Sequence, residues 1–195
     1  MSLVILVSVG IDSSLVALLA KEEGIQQFPL FVDYGQICGE REWKACVTVH
    51  RRLGLPKPVR MHLRGYGRLI ASGLTNRKMR LYEDAFLPGR NLLFLLAGSA
   101  YAYQVRASGV AMGLLSEEFH LFPDQTSEFI AESQALLSSA MGRSIKLVTP
   151  LMAFSKREVL AIAKSRGIIG TYSCHAGTRT PCGRCVSCLE VEKMR

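Results

Sequence analysis

Strand-like and helix-like segments alternate along this 195-residue chain, and that alternation narrows the fold more than any other feature. Residues 3–7 form a short apolar run rich in β-branched side chains, as a buried strand requires. Residues 28–32, 59–63, 110–112 and 145–148 read as four further strands. Helical spacing fills the gaps at 14–23, 40–53, 91–107, 127–141 and 155–165. Leu15, Leu18 and Leu19 share one face of the first, and Gly54 and Pro56 end the second. Alternation of this kind implies an α/β fold with a doubly wound, parallel five-stranded sheet. Two longer segments, 65–86 and 114–126, read as loops, and loops of that length are often functional. Such sheets bind ligands at the carboxyl ends of their strands, so the turn after the first strand is the first place to look.

Composition excludes little but points in one direction. Hydrophobic residues make up 49%, enough for a core in a single domain. Lys and Arg outnumber Asp and Glu by 24 to 16, a surplus of +8 that suits an anionic partner. Residues 41–80 hold eleven of those bases (Arg41, Lys44, Arg51, Arg52, Lys57, Arg60, Arg64, Arg68, Arg77, Lys78 and Arg80) against one acid, Glu42. This stretch is either a solvated face or a docking surface for a nucleic acid or an acidic protein. The longest apolar stretch, 92–103, falls short of the ~18 residues needed to span a bilayer. No basic residue precedes the first apolar run, so a signal peptide is not expected and a cytoplasmic location is.

The turn after the first strand reads Ser8-Val9-Gly10-Ile11-Asp12-Ser13-Ser14. A small polar loop between a buried strand and a helix N-terminus can aim several N–H groups at a phosphate. Gly10 permits close backbone approach and positive φ. Ser8, Ser13 and Ser14 add hydroxyls, and Asp12 could hold Mg²⁺. The alternative is that Ser13 or Asp12 is only a helix N-cap. The spacing fits neither a Walker loop nor a Gly-x-Gly-x-x-Gly fingerprint.

At the other end, Cys174, Cys182, Cys185 and Cys188 crowd together, while Cys38 and Cys46 stand apart as ordinary packed thiols. Short Cys-x2-Cys spacings let one turn supply two thiolates, and four thiolates suit a closed, structural Zn²⁺ site. An iron–sulfur cluster is the alternative. His175 adjoins the first cysteine without a vacancy to fill. The expected division is a nucleotide-binding body over 1–170 and a cysteine-bearing, zinc-binding segment over 171–195.

Five of the six positions in Ser8–Ser13 agree with the Ser-Gly-Gly-x-Asp-Ser pattern of the PP-loop; Val9 replaces the first glycine. Together with the cysteines, this resembles the QueC family of 7-cyano-7-deazaguanine synthases over nearly the whole chain. Tyr34-Gly35-Gln36 with Glu40, Pro88-Gly89-Arg90-Asn91, Thr149-Pro150-Leu151 with Lys156, and Cys182-Gly183-Arg184-Cys185 carry the likeness. Segment 113–129 departs from it. Gly113, Pro123, Asp124, Glu128 and Phe129 match, but Leu115 stands for an Asn, Glu118 for an Asp and Gln125-Thr126 for Cys-Arg. Leucine cannot replace the hydrogen bonds of a side chain that reads a heterocycle edge.

The resemblance implies a PP-loop fold of the adenine nucleotide alpha-hydrolase (HUP-like) type. It implies ATP-driven conversion of a 7-carboxy-7-deazaguanine-type carboxylate to an amide and then a nitrile, with ammonia from a source the sequence does not name. Ser8, Gly10, Asp12, Ser13, Ser14, Tyr34 and Gln36 would bind ATP. Asp12, with Mg²⁺, Arg90 and Lys156 would act on the phosphates, and Glu118, Asp124 and Glu128 would face the acceptor. Cys174, Cys182, Cys185 and Cys188 would hold Zn²⁺, and the chain would form a homodimer. The rivals are a diverged relative that activates another acid or attaches a deazapurine to a macromolecule, and a nucleotide-binding module without catalysis.

Overall fold

A computed structural model describes residues 1–8, 10–116 and 122–192. Five parallel strands run β1 (Ser2–Leu6), β2 (Gln26–Asp33), β3 (Val59–His62), β4 (Gly109–Ala111) and β5 (Lys146–Val148). Their order across the sheet is β3-β2-β1-β4-β5. Every pairing is parallel; Val4 lies opposite Phe28 on one side and Val110 on the other.

Side chains alternate across a strand, so β1 feeds two cores. Leu3 and Ile5 pack with Leu15 and Val16 of α1 (Ile11–Glu22), Val49 of α2 (Gly39–Arg52) and Val159 of α6 (Lys156–Ser165). Val4 and Leu6 pack with Leu95 of α4 (Arg90–Gln104) and Leu137 of α5 (Ser127–Met141). A strand buried on both faces has to be apolar throughout, which is why residues 3–7 show no polar alternation.

The chain turns one way from β1 through β2 to β3 and the other way to β4 and β5. The loops after β1 and β4 therefore part and leave a crevice at the strands' carboxyl ends.

Three elements differ from the sequence reading. The expected loop 65–86 opens with a short helix, α3 (Arg64–Leu69), where Gly65 and Gly67 dilute the helical signal. A further helix, α7 (Val186–Glu192), lies inside the cysteine segment. Helix α1 begins three residues before the predicted position, because Ser14 already donates its N–H to the Gly10 carbonyl. Among the described residues, no helix is long and apolar enough to cross a membrane.

Candidate functional site

The first turn of α1 lines a cavity of about 310 Å³ at the crevice. Its N-cap is Gly10, and no side chain caps it. The first amides of the helix therefore have no partner within it, as an anion site needs. Neither Ser13 nor Asp12 is the cap. Gly10 has φ −61°, so positive φ is not what the loop draws from this glycine. The hydroxyls meanwhile bond to the loop's own backbone: Ser13 Oγ accepts from the Ser8 N–H at 3.2 Å, and Ser14 Oγ donates to the Gly10 carbonyl at 2.9 Å.

Asp12 and Lys156 meet here from positions 144 residues apart. Lys156 Nζ lies 2.7 and 2.6 Å from the two Asp12 carboxylate oxygens. Ser155 caps α6 in a reciprocal box with Glu158, which fixes the lysine just inside the helix start. The pair is largely shielded, with Lys156 14% exposed. From the other side Gly113 closes on the loop; a Cβ there would lie 3.2 Å from the Ser13 nitrogen. Only glycine fits the junction between β4 and α1 without displacing it.

The far wall of the cavity is different. Gln36 braces the turn after β2: its Oε1 accepts from the Tyr34 N–H, and its Nε2 donates to Glu42 Oε2, each at 3.0 Å. Burial pushes the Glu42 carboxyl up, against the pull of Gln36, Cys38 and Arg90. Burial likewise raises the Tyr34 phenol, whose ring packs 5.4 Å from that of Phe94. Arg90, in the first turn of α4, lays its guanidinium over Phe94. Its Nε is buried without a hydrogen-bond partner, and so is Nδ1 of His175. Burial, followed by the Arg90 charge, pushes the His175 imidazole down to about 4, so the ring is neutral near pH 7. Arg90, His175, Glu42, Asp12 and Lys156 all line the one cavity.

Behind this wall lies a charge network that sequence reading missed. Asp33, 2% exposed at the end of β2, takes Arg60 and Arg64 at 2.7 Å each and His62 at 3.1 Å. Burial alone would raise its carboxyl; Arg64, Arg60 and His62 outweigh it and hold it low. Glu40 bonds the same two arginines. Two of the eleven clustered bases are thus internal ties. Arg41, Lys44, Arg51 and Arg52 remain exposed on α2.

The four C-terminal cysteines converge, with all Sγ atoms within 4.8 Å of one another. A tetrahedron with bonds of ~2.3 Å has edges of ~3.8 Å, so the set fits a thiolate-bound metal. Cys182 and Cys188 are already 4.0 Å apart. Burial opposes ionisation of Cys174, but bonds from Thr178 and backbone N–H groups prevail and bring it down to about 6.

The remaining predicted residues scatter. Asp124 sits in a 3-10 turn, Pro123–Gln125, and its carboxylate accepts from the Asn91 N–H at 3.3 Å. Glu128 is exposed in the first turn of α5. Val9 and Glu118 lie outside the described residues. Leu115 lines the cavity and packs on the α1 side of the core. Glu42 and His175 also line the cavity; no motif in the sequence marks them, and their place there appears only once the strands are assembled.

The model of the family described as "Queuosine biosynthesis protein QueC" matches residues 2–193. The chain belongs to the QueC family. It is 32% identical to the 7-cyano-7-deazaguanine synthase of Prochlorococcus marinus strain MIT 9515, covering 96% of this chain and 90% of that one. The enzyme of the same name from Trichodesmium erythraeum strain IMS101 is also 32% identical, over 96% of this chain and 92% of its own. Among solved structures, a 4-thiouridine synthetase–RNA complex with bound ATP superposes with a TM-score of 0.59 at 20% identity, covering 99% of this chain and 49% of that one. NMN synthetase from Francisella tularensis gives 0.57 at 15%, covering 95% and 70%. These likenesses confirm the PP-loop fold for this QueC-family chain.

Proposed function

We propose that this chain uses ATP to adenylate a 7-carboxy-7-deazaguanine-type carboxylate, then amidates and dehydrates it to the nitrile. The observation that carries the reading is the uncapped phosphate loop and the Asp12–Lys156 pair, opening on one cavity in a chain that matches QueC along its length.

The carboxylate oxygen attacks the α-phosphorus, the bond to pyrophosphate breaks, and an acyl adenylate forms. Ammonia attacks the acyl carbon, and AMP leaves with the bonding pair to give the amide. The amide oxygen attacks the α-phosphorus of a second ATP and a second pyrophosphate leaves; loss of AMP and two protons then gives the nitrile. The protein's task is alignment and charge neutralisation. The α1 amides with Ser8, Gly10, Ser13 and Ser14 would cradle the phosphates. Lys156 and Arg90 would offset charge developing at phosphorus. Asp12 would hold Mg²⁺ jointly with phosphate oxygens, which requires it to share Lys156. Tyr34 and Gln36 would shape the wall beside the nucleotide, and Asp124, Glu118 and Glu128 would belong to the acceptor side. Residues 1–170 would form the ATP-binding body, and Cys174, Cys182, Cys185 and Cys188 a structural Zn²⁺ site in 171–195.

A second reading, a relative that activates a different acid, draws support from Leu115, which presents an apolar side chain to the cavity. The test is mass spectrometry of protein with Mg-ATP, ammonium and 7-carboxy-7-deazaguanine. Amide or nitrile together with AMP is the expected result. Pyrophosphate release only with other acids supports the second reading. ATP binding with no pyrophosphate release, whichever acid is offered, leaves a nucleotide-binding module.

A further inference from the structure

We infer that His175, Arg90 and Glu42 form the subsite that grips the nitrogen heterocycle of the acceptor, with His175 held there by the cysteine cluster. The inference rests on the proposed function and names the residues that do its recognising.

Two unpartnered buried atoms motivate it. Arg90 and His175 both line the cavity, and Nε of the one and Nδ1 of the other are buried without a hydrogen-bond partner. A buried polar atom left unbonded costs about 1–3 kcal/mol, so such atoms in a binding cavity call for a ligand. Each is within electrostatic reach of the next: the Arg90 charge acts on both His175 and Glu42.

The chemistry of the three groups selects the ligand. Arg90 only donates, the Glu42 carboxyl oxygens can accept, and an imidazole ring carries two nitrogens that can donate or accept. An aminopyrimidinone edge presents the complement, a carbonyl oxygen beside ring and exocyclic N–H groups. The Arg90 Nε–H would meet the carbonyl and Glu42 the N–H pair, with His175 on the remaining ring atom. Arg90 has five N–H donors, so Nε can hold the ring while its terminal nitrogens face the phosphates. The aromatic rings of Tyr34, Phe94 and Phe122 line the same wall and suit a planar ligand. These groups stand in place of the hydrogen bonds that Leu115 cannot make.

The cysteine segment sets His175 in the wall. The preceding residue is Cys174, one of the four converging thiols. Val186 and Ser187, between the last two cysteines, line the cavity as well. The cluster is therefore part of the ligand site's wall as well as a staple for the chain end.

The test is calorimetry on the full-length, zinc-loaded protein. Affinity is measured separately for 7-carboxy-7-deazaguanine and for a non-hydrolysable ATP analogue. His175→Ala should weaken the acceptor at least tenfold, leave the ATP analogue within twofold and keep one metal per chain. His175→Asn, whose amide reaches the position of Nδ1, should recover most of the loss. Glu42→Gln, which swaps an acceptor for a donor, should weaken the acceptor similarly and carries the test if His175→Ala fails to fold. If wild type binds the acceptor and the variants bind it equally well, or lose both ligands alike, the inference falls alone. If wild type binds no 7-carboxy-7-deazaguanine and turns none over, the proposed function falls and takes the subsite with it.

Discussion

At one end of the cavity, serine hydroxyls and uncapped amides stand beside a salt-bridged Asp12–Lys156 pair; at the other, half-buried Glu42, Arg90 and His175 share the lining with aromatic rings. The first end is made of backbone and short side chains and tolerates charge, because helix amides and Lys156 oppose it. The second end resists charge: Glu42 is pushed up and His175 down by the same burial. A cavity polarised in this way suits a ligand that is anionic at one end and neutral but rich in hydrogen bonds at the other. The adenylated heterocyclic acid of the proposed function would have that shape of charge.

The contrast can be broken in graded steps. Cys185→Ser, at a thiol with no exposure, should abolish stoichiometric metal in reduced protein and with it acceptor binding; elemental analysis reads the first and calorimetry the second. Lys156→Met should cost about 10²–10³-fold in pyrophosphate release, the usual loss of one preorganised charge, with acceptor affinity little changed. Equal losses at both ends would merge them. Asp33→Asn should cost about 3 kcal/mol in urea unfolding, since it leaves Arg60 and Arg64 with Glu40 alone. Acid should weaken the fold in two stages. Buried His50 is neutral in the fold, with burial lowering it despite its bond to the Pro56 carbonyl. Unfolded chains therefore bind the extra proton first, and stability falls as pH drops below the ordinary histidine value of 6.5. The Asp33 contribution is present above its ordinary value of 3.8 and is lost only as pH falls beneath it. Urea midpoints across pH 3–8 check both stages, and His50→Gln should shrink the first, to which His175 also contributes. Gly113→Ala should be mildest, about 1–2 kcal/mol, seen as weaker ATP binding with the far end intact.

How legible each part was depends on how far apart its pieces lie in the chain. The strands, the loop 8–14 and the cysteine cluster are contiguous or closely spaced, so periodicity and spacing expose them. Helix α3 has six residues, two of them glycine, which is too little pattern for a helix to be read. The Asp33 network joins residues 27 to 31 positions apart along the chain, and only the pairing of β2 with β3 brings them together. Without that pairing, Arg60 and Arg64 looked like part of a basic face. In the sequence, His175 adjoins a set of four thiolates that leaves it no vacancy; only the fold shows it lining the cavity. Glu42 is the one acid among eleven bases in 41–80, and its place in the cavity wall likewise appears only in the fold.

The contact between Asp12 and Lys156 has a consequence for how the protein is made. Asp12 leaves the ribosome early, and its partner is 144 residues behind. At roughly 5–20 residues per second, the loop after β1 waits many seconds for its countercharge. Its carboxylate is unopposed during that interval. The ion pair that closes this end of the cavity can form only once the last strand and α6 have been delivered, so the cavity is completed near the end of synthesis.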